Sequence, residues 1–242
     1  YIGLSSGRVG YWSFDGPDVA GIPSTATRPG TVYDRSGQEN NGLYYNATGT
    51  EPVIGKLGQA LEFKGAQASD PDTHVNAGSA ASLDGLGPMT VSAWIKPKSA
   101  SSNALGYIVA KDTSFSNGSW RFGFDNEAPE VNAFTFIKEA GTNEITRITS
   151  DNTATYNEWQ HILATWDGTL NGSGIHIYKN GVELSYQSTI NGSSAVSDAS
   201  LNLYIGNRGD GARNYDGIID DVRVYNRALS ADEIKRLYKI GA

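Results

Sequence analysis

The sequence predicts an all-β protein in which two antiparallel sheets pack face to face as a jelly-roll sandwich, with one short C-terminal helix. Three observations lead to this prediction. Short apolar runs alternate with polar residues at the period of two that is typical of β-strands. Glycine, with 29 residues, fills the gaps between these runs together with Asn, Ser and Thr, as turns between many strands require. Only one segment, near the C-terminus, has the apolar spacing of an amphipathic helix.

The central strands are predicted from this alternation. Asn180 and Gly181 form a strong signal for a two-residue hairpin between two of them, and Val182 and Leu184 begin the return strand. The other residues that share a strand face by parity are Val91, Ala93 and Ile95; Ile162, Ala164 and Trp166; Ile175 and Ile177; Leu201, Leu203 and Ile205.

The last strand, within residues 217–225, carries two adjacent carboxylates. Asp220 has the same parity as Val222 and Val224, so the alternation predicts that Asp220 points toward the core. A bare carboxylate in that position would cost several kcal/mol, so it requires a partner, and a metal ion is a suitable one.

A helix is predicted directly after this strand, over residues 230–238. Ser230 can cap its N-terminus, and Glu233 three residues later completes a capping box. Ile234, Leu237 and Tyr238 then follow the i, i+3, i+4 spacing of one helical face. In a jelly roll the first and last strands can lie side by side, which would bring residues 15 and 220 together.

Seven segments carry a resemblance to one family. In chain order they are 11–15 (YWSFD), 34–42 (DRSGQENNG), 55–63 (GKLGQALEF), 89–97 (MTVSAWIKP), 158–168 (EWQHILATWDG), 175–181 (IHIYKNG) and 217–230 (GIIDDVRVYNRALS). The chain resembles the laminin-G-like, concanavalin-A-like lectin and glucanase domains over residues 9–238. The resemblance implies the fold but little about activity, because this fold hosts lectins, adhesion modules, glycosidases and lyases.

Length, charge and composition limit the possible partners and the cellular location. The 242 residues are predicted to form one domain, 1–242, in which residues 1–8 are a linker or tail. The net charge of −7 argues against nucleic acid as a partner, and no apolar run is long enough to span a membrane. Because cysteine is absent, the composition fits a secreted bacterial module stabilised by its core and a metal. We therefore expect an extracellular or cell-surface piece of a larger multidomain protein.

A structural calcium ion is the predicted cofactor. Calcium takes about six to eight oxygen ligands from carboxylates, amides, main-chain carbonyls and water. The resemblance places the metal-associated positions of the family on Asp15, Asp34, Asn41 and Asp220, with Asp221 as the alternative to Asp220.

An interpretation without a metal remains open for these residues. Asp34 and Asn41 can be turn residues whose side chains bond the backbone. Asp220 would then pair with Arg223 or Arg227, although parity argues against Arg223, which points to the opposite side.

No catalytic pair of carboxylates is predicted. A retaining glycosidase needs two carboxyl groups about 5 Å apart, and an inverting one needs a wider separation. Glu127 and Glu130 fall in a predicted loop, and Glu139 and Glu144 flank a predicted hairpin turn, so neither pair is expected to share a strand face. The three histidines are scattered, and His161 is interpreted as a structural residue. We therefore expect no enzymatic activity.

Two loops are candidates for a carbohydrate-binding surface. Sugars are bound by aromatic faces together with polar groups that bond their hydroxyls. Residues 206–217 are polar and glycine-rich and carry one tyrosine, and residues 111–120 form a similar segment that ends in a tryptophan. The predicted ligand-binding residues are Asp112, Trp120, Arg208, Asp210, Arg213, Asn214 and Tyr215.

Alternatives remain open for two of these residues and for one motif. Trp120 alternates with Phe122 and Phe124 as a core strand would, and Tyr215 could be a packed loop anchor. Arg208 and Asp210 flank Gly209 in a tripeptide known for integrin binding, which glycine-rich loops also produce by chance. Whether the two loops are neighbours does not follow from the sequence.

The leading prediction is a non-catalytic, lectin-like extracellular module that binds a polysaccharide or other glycan and contains a structural calcium ion. A protein-binding adhesion or spacer module of a surface protein is the first alternative. A glycan hydrolase or lyase of the same fold is the second.

Overall fold

A computed structural model describes residues 3–21, 29–45, 52–65, 73–99, 105–114, 118–125 and 132–242. Within them the chain forms eighteen β-strands in two sheets and one α-helix. Every strand pair in these ranges is antiparallel. The predicted all-β sandwich with one helix is therefore confirmed.

The strands, in chain order, are β1 (Arg8–Trp12), β2 (Val19–Ala20), β3 (Gly30–Val32), β4 (Gly42–Tyr45), β5 (Val53–Ile54), β6 (Gln59–Phe63), β7 (His74–Gly78), β8 (Met89–Pro97), β9 (Tyr107–Lys111), β10 (Trp120–Asp125), β11 (Ala133–Ala140), β12 (Asn143–Thr149), β13 (Gln160–Trp166), β14 (Ile175–Lys179), β15 (Val182–Glu183), β16 (Tyr186–Ile190), β17 (Leu203–Ile205) and β18 (Gly217–Tyr225). The helix α1 spans Ala231–Ile240.

The smaller sheet has the strand order β15-β14-β13-β8-β18-β6-β5, with β1 also paired to β18. The larger sheet has the order β16-β12-β11-β10-β9-β17-β7-β4-β3-β2. Their inner faces enclose the main apolar core. The residues that alternation assigns to the strands β8, β13 and β14 are buried in this core, as are Leu203, Ile205, Val222 and Val224.

The first and last strands lie side by side, as predicted. Arg8 pairs with Tyr225 and Trp12 with Val222 along the β1–β18 ladder. The segment before β1 continues the contact, because the Gly7 carbonyl accepts a hydrogen bond of 2.8 Å from the Asn226 amide. Both ends of the chain are therefore held at one sheet.

The predicted orientation of Asp220 is wrong, because β18 contains a bulge. The ladder between β18 and β8 is irregular between Asp220 and Arg223, and Asp221 has a φ of +52°. Ile219 and Val222 consequently both face the core, whereas Asp220 pairs with Trp94 on the outer face of the smaller sheet. An extra residue in a strand resets the alternation, so parity counted across the bulge assigns the wrong face.

The helix α1 covers another part of that outer face. Ser230 accepts a hydrogen bond from the Glu233 amide, and the Glu233 side chain accepts one from the Ser230 amide, so the predicted capping box is confirmed. Ile234 and Leu237 pack against Leu163 and Tyr225 of the sheet. No helix in the described part of the chain is long and apolar enough to cross a membrane.

The capping box makes stability depend on pH. The Arg227 guanidinium donates hydrogen bonds to the Glu233 carboxylate, and these bonds lower the pKa of Glu233 from 4.5 to about 2. A lowered pKa stabilises the fold above pH 4.5, and this contribution is lost as the pH falls toward 2. We expect Glu233→Gln to cost roughly 1 kcal/mol or less at pH 7, since the ion pair is partly exposed, and to cost progressively less below pH 4.5. Urea unfolding across this pH range measures the difference.

Asp232→Asn provides the control, because it removes a carboxylate from the same helical turn that forms no ion pair with the described residues. The two values of the Glu233 pKa lie on either side of pH 3. If the difference in the free energy of unfolding between wild type and Glu233→Gln stays constant down to pH 3, the lowered pKa of Glu233 is contradicted.

Candidate functional site

Two carboxylates from opposite ends of the chain hold one turn, residues 55–59, between β5 and β6. Asp220 Oδ2 accepts hydrogen bonds of 2.8 Å from the main-chain amides of Lys56 and Leu57. Asp15 Oδ1 accepts one of 2.8 Å from the Gln59 amide. We call this arrangement the carboxylate clamp. It joins the end of β1, the bulge of β18 and the start of β6.

The clamp requires glycine at two positions of the turn. A Cβ on Gly55 would lie 2.6 Å from Asp220 Oδ2 and 2.7 Å from the Gln59 carbonyl carbon. Gly58 has a φ of +62°, and a Cβ there would overlap Asp15 Oδ1. These contacts give a physical reason for the spacing of the two glycines in the segment GKLGQ.

The clamp brings carboxylates close to one another. Burial raises the pKa of Asp220 to about 7, and the nearby charges of Asp221 and Asp15 act in the same direction. Asp220 Oδ1 is buried and has no hydrogen-bond partner. The backbone is also strained on both sides, because Phe14, directly before Asp15, has a φ of +62° and Asp221 has a φ of +52°.

The five predicted metal ligands do not come together at one site. Asp34 organises its own loop, since its carboxylate accepts hydrogen bonds from the amides of Tyr11, Ser36 and Asn40 at 2.8, 2.8 and 3.0 Å. Asn41 Oδ1 accepts one of 2.9 Å from the Asp34 amide. These bonds fit the turn interpretation that the sequence left open for both residues.

Asp221 forms an ion pair and is therefore not available as a metal ligand. Its carboxylate lies 2.9 Å from the Arg223 guanidinium. Of the predicted ligands, only Asp15 and Asp220 thus meet at the clamp. In the described ranges, no three or more His, Cys, Asp or Glu side chains form a cluster suited to a metal ion.

The two predicted binding loops are neighbours. The Gly209 amide donates a hydrogen bond of 2.9 Å to the Asp112 carbonyl. Within residues 206–217, Asn207 Oδ1 accepts bonds from the amides of Arg208 and Arg213 at 2.7 and 3.1 Å. The Asn207 side chain also donates to Asn214. This loop is therefore shaped by its own hydrogen bonds.

The arginine–glycine–aspartate tripeptide is closed on itself. Arg208 donates to both carboxylate oxygens of Asp210, at 2.8 and 2.6 Å, and only 4% of the arginine is exposed. An extended cation and a separate carboxylate are not presented to a partner. This geometry agrees with the interpretation of the tripeptide as a chance occurrence in a glycine-rich loop.

Trp120 and Tyr215 are core residues, which corrects the expectation that they contact a ligand at the surface. Trp120 is fully buried and stacks on Phe136 with ring centres 6.2 Å apart. Tyr215 is 1% exposed and stacks on Phe124 at 5.9 Å. The alternation of Trp120 with Phe122 and Phe124 was the sequence signal for this placement.

An aromatic row on the outer face of the larger sheet was not predicted as a unit. Tyr45 of β4 stacks on His74 of β7 at 4.8 Å, and His74 meets Tyr204 of β17 edge-on at 5.7 Å. We call these three residues the aromatic row. Tyr45 and His74 are partly exposed, whereas Tyr204 is buried and adjoins the loop through Gly209. Tyr44 and Val75 face the core, so alternation in β4 and β7 was the available signal.

Glu139 and Glu144 face each other across the β11–β12 ladder, contrary to the prediction that they share no face. Arg121 of β10 donates to both, with distances of 2.7 and 2.8 Å. One buried guanidinium thus holds both carboxylates. Glu127 and Glu130, the other pair considered, lie outside the described residues.

Comparison with protein families gives a match over most of the chain. A family model described as the concanavalin A-like lectin/glucanases superfamily matches residues 69–235. The chain is 30% identical over 163 residues to adhesion G-protein coupled receptor V1 of Danio rerio, covering 63% of this chain and 2% of the receptor. It is 29% identical over 112 residues to adhesion G-protein coupled receptor D1 of Homo sapiens, covering 43% of this chain and 12% of the receptor. The chain thus spans a small part of these relatives' length.

Solved structures share the fold at lower identity. The binding domain of Paraclostridial Mosquitocidal Protein 1 has a TM-score of 0.67 at 18% identity, covering 98% of this chain and 52% of that one. Domain 4 of AbnA, an extracellular GH43 arabinanase from Geobacillus stearothermophilus solved with arabinotriose, has a TM-score of 0.62 at 17% identity, covering 96% and 98%. The binding domain of botulinum neurotoxin DC, in complex with rat synaptotagmin II, has a TM-score of 0.66 at 15% identity, covering 99% and 53%.

The clamp predicts that an added methyl group at Gly55 is destabilising. We expect Gly55→Ala to cost about 1–3 kcal/mol, because the new Cβ would press on the Gln59 backbone and on Asp220. Gly87→Ala is the matched control, since a Cβ there would meet nothing within 4 Å. Denaturant unfolding of both variants provides the measurement, and equal losses of stability would contradict the clamp geometry.

Proposed function

The chain belongs to the concanavalin A-like lectin/glucanase superfamily, and from this premise we propose that it is a non-catalytic carbohydrate-binding module. It would act as one part of a larger extracellular or cell-surface protein. The proposed ligand is a polysaccharide or other glycan, and the proposed binding surface is the aromatic row with the adjoining loop 206–217.

The observation that carries this proposal is the aromatic row. Rings of Tyr45, His74 and Tyr204 follow one another across three neighbouring strands, with contacts of 4.8 and 5.7 Å. An aromatic ring offers an apolar face for a pyranose or furanose ring and, in tyrosine, a hydroxyl at its edge. Asn76 lies opposite Tyr204 in the β7–β17 ladder, and its side-chain NH₂ group could donate to a sugar hydroxyl. Rigid strands support the rings, so little ordering is needed on binding.

Similar proteins provide independent support for a recognition role. One solved neighbour is a domain of an extracellular arabinanase in complex with arabinotriose, and two are toxin binding domains. A further neighbour is a structure of botulinum neurotoxin type C, whose cell entry depends on interaction with two ganglioside molecules. These ligands guide the choice of probes for this chain.

The carboxylates on the same sheet support a non-catalytic role. A general acid or nucleophile must be free to exchange a proton or attack the sugar. Glu139 and Glu144 are instead bound together by Arg121, at 2.7 and 2.8 Å. Their arrangement joins β10, β11 and β12 of the larger sheet.

A glycan array tests the proposal, with arabinotriose and ganglioside oligosaccharides among its probes. We expect binding to at least one class of carbohydrate. For the strongest probe, Tyr45→Ala should weaken binding roughly tenfold, because a stacked ring loses its sugar contact. Isothermal titration calorimetry measures that change.

Tyr238→Ala is the matched control for Tyr45→Ala. It also removes a partly exposed tyrosine that lies against a histidine, His161, but on the outer face of the smaller sheet. Its affinity should equal that of wild type. No binding across the whole array would reject the carbohydrate proposal and favour the protein-binding adhesion or spacer module.

We also propose a structural calcium ion at the carboxylate clamp. Asp220 has a buried oxygen without a donor, and its pKa of about 7 reflects burial reinforced by the like charges of Asp221 and Asp15. A divalent cation would offset both effects, and carboxylates with main-chain carbonyls are the ligands that calcium prefers. Asp15 and Asp220 would hold it, with neighbouring carbonyl oxygens and water. Asp34, Asn41 and Asp221 are already bonded elsewhere, so we assign them no role in binding the ion.

Calcium should therefore raise the melting temperature, and EDTA should lower it. The expected stabilisation is about 2.7 kcal/mol at a calcium concentration a hundredfold above the dissociation constant. Asp15→Asn should abolish the calcium effect. Asp34→Asn should destabilise the loop but keep the calcium effect, which separates the two groups of carboxylates. Identical melting curves for wild type in EDTA and in calcium would reject the proposal.

A further inference from the structure

A polar cleft lies at one end of the sandwich, apart from the residues of the aromatic row. Its volume is about 580 Å³, within the range of roughly 300–1,000 Å³ that small-ligand sites occupy. The start of β1, the loop 34–40, the segment 81–87 and the end of β18 form its walls. Its polar side chains belong to Ser5, Arg8, Ser36, Gln38, Ser82, Asp84 and Asn226.

The walls of this cleft are fixed by hydrogen bonds. Asn40 donates to the Val9 carbonyl at 2.7 Å and to Ser82 Oγ at 2.9 Å, which ties β1 to the segment 81–87. The Trp12 indole donates to the Asn40 carbonyl at 2.9 Å. The cleft is thus formed in the protein alone, and a ligand would not have to order it.

Several polar groups of the cleft remain available. The side chains of Ser5, Gln38 and Asn226 are exposed and make no hydrogen bonds with the described residues. Hydroxyl and amide groups both donate and accept, as the hydroxyls of a sugar do. The lining therefore suits an oligosaccharide better than an apolar ligand.

Arg8 adds a charge preference. Its guanidinium stacks on the Tyr11 ring at 4.7 Å and donates to the Arg35 carbonyl at 3.0 Å, but it forms no ion pair with a described carboxylate. Its Nε is buried without a partner. Asp84, the acidic residue of the lining, is already paired with the buried Lys111. Arg8 is therefore the uncompensated charge of the cleft.

We propose that this cleft is a second carbohydrate site that binds an acidic oligosaccharide, with a sugar carboxylate on Arg8 and sugar hydroxyls on Ser5, Gln38 and Asn226. Guanidinium and carboxylate form charge-assisted hydrogen bonds that exceed neutral ones in strength. The site is independent of the aromatic row, so a chain with both sites would hold two segments of glycan.

Isothermal titration with trigalacturonate and with its fully methyl-esterified form tests the charge preference, because the two probes differ chiefly in charge. Wild type should bind the acid about tenfold more tightly than the ester. Arg8→Gln should remove that preference. Arg147→Gln, which removes an arginine stacked on Tyr186 at 3.8 Å on a distant strand, should keep it.

Two further variants keep the result interpretable. Gln38→Ala, at an exposed position, should weaken the acid and the ester to the same extent. Tyr45→Ala should leave trigalacturonate binding unchanged, whereas loss of binding in this variant would assign the probe to the aromatic row and overturn the cleft. Three other results would also overturn the cleft: equal affinity of wild type for acid and ester, absence of trigalacturonate binding, or an unchanged preference in Arg8→Gln. None of these results would bear on the glycan bound by the aromatic row.

Discussion

The structure depends on the hydrogen bonds by which Asp15 and Asp220 hold the turn 55–59. Three parts of the fold that are far apart in the chain meet there: the end of β1, the bulge of β18 and the hairpin that leads into β6. Removing Asp220 would leave the partly buried main-chain amides of Lys56 and Leu57 without their acceptor, and an unsatisfied amide costs at most about 1–3 kcal/mol when it is fully buried. The clamp therefore does more than pair two strands. It also brings Asp15 and Asp220 close together, and the proposed calcium site depends on this arrangement.

The larger sheet also has a segment that is held by its own hydrogen bonds. The loop 206–217 follows β17 and leads into β18, and Asn207 bonds its amides so that the loop keeps one shape. Because its polar groups bond one another, the loop presents less hydrogen-bonding capacity than its composition suggests. The rings of the aromatic row pack against one another, but Tyr45 and His74 remain partly exposed beside the loop. The proposed glycan surface therefore relies on the exposed rings of the sheet face more than on the polar groups of the loop.

Alternation in the sequence was sufficient for the strands β8, β13 and β14 and for the helix cap, because each depends on residues close in sequence. It failed at Asp220, where the bulge at Asp221 inserts a residue that parity cannot detect. The aromatic row was out of reach for a different reason. Tyr45, His74 and Tyr204 come together only through the register of three strands far apart in the chain. Asp34 and Asn41 have the residue types of both a metal site and a turn, and only their bonding partners distinguish the two.

The pairing of charges determines which groups can recognise a ligand. Arg121 is neutralised by two glutamates, Arg208 by Asp210 and Arg223 by Asp221, so these guanidinium groups contribute shape more than charge. The net charge of −7 would repel an acidic glycan at long range, but at physiological ionic strength such fields are screened beyond about 8 Å. Within that distance the local charge decides, and at the cleft it is the uncompensated charge of Arg8. An acidic sugar can therefore be selected by a protein whose overall charge opposes it, provided that the contact is short.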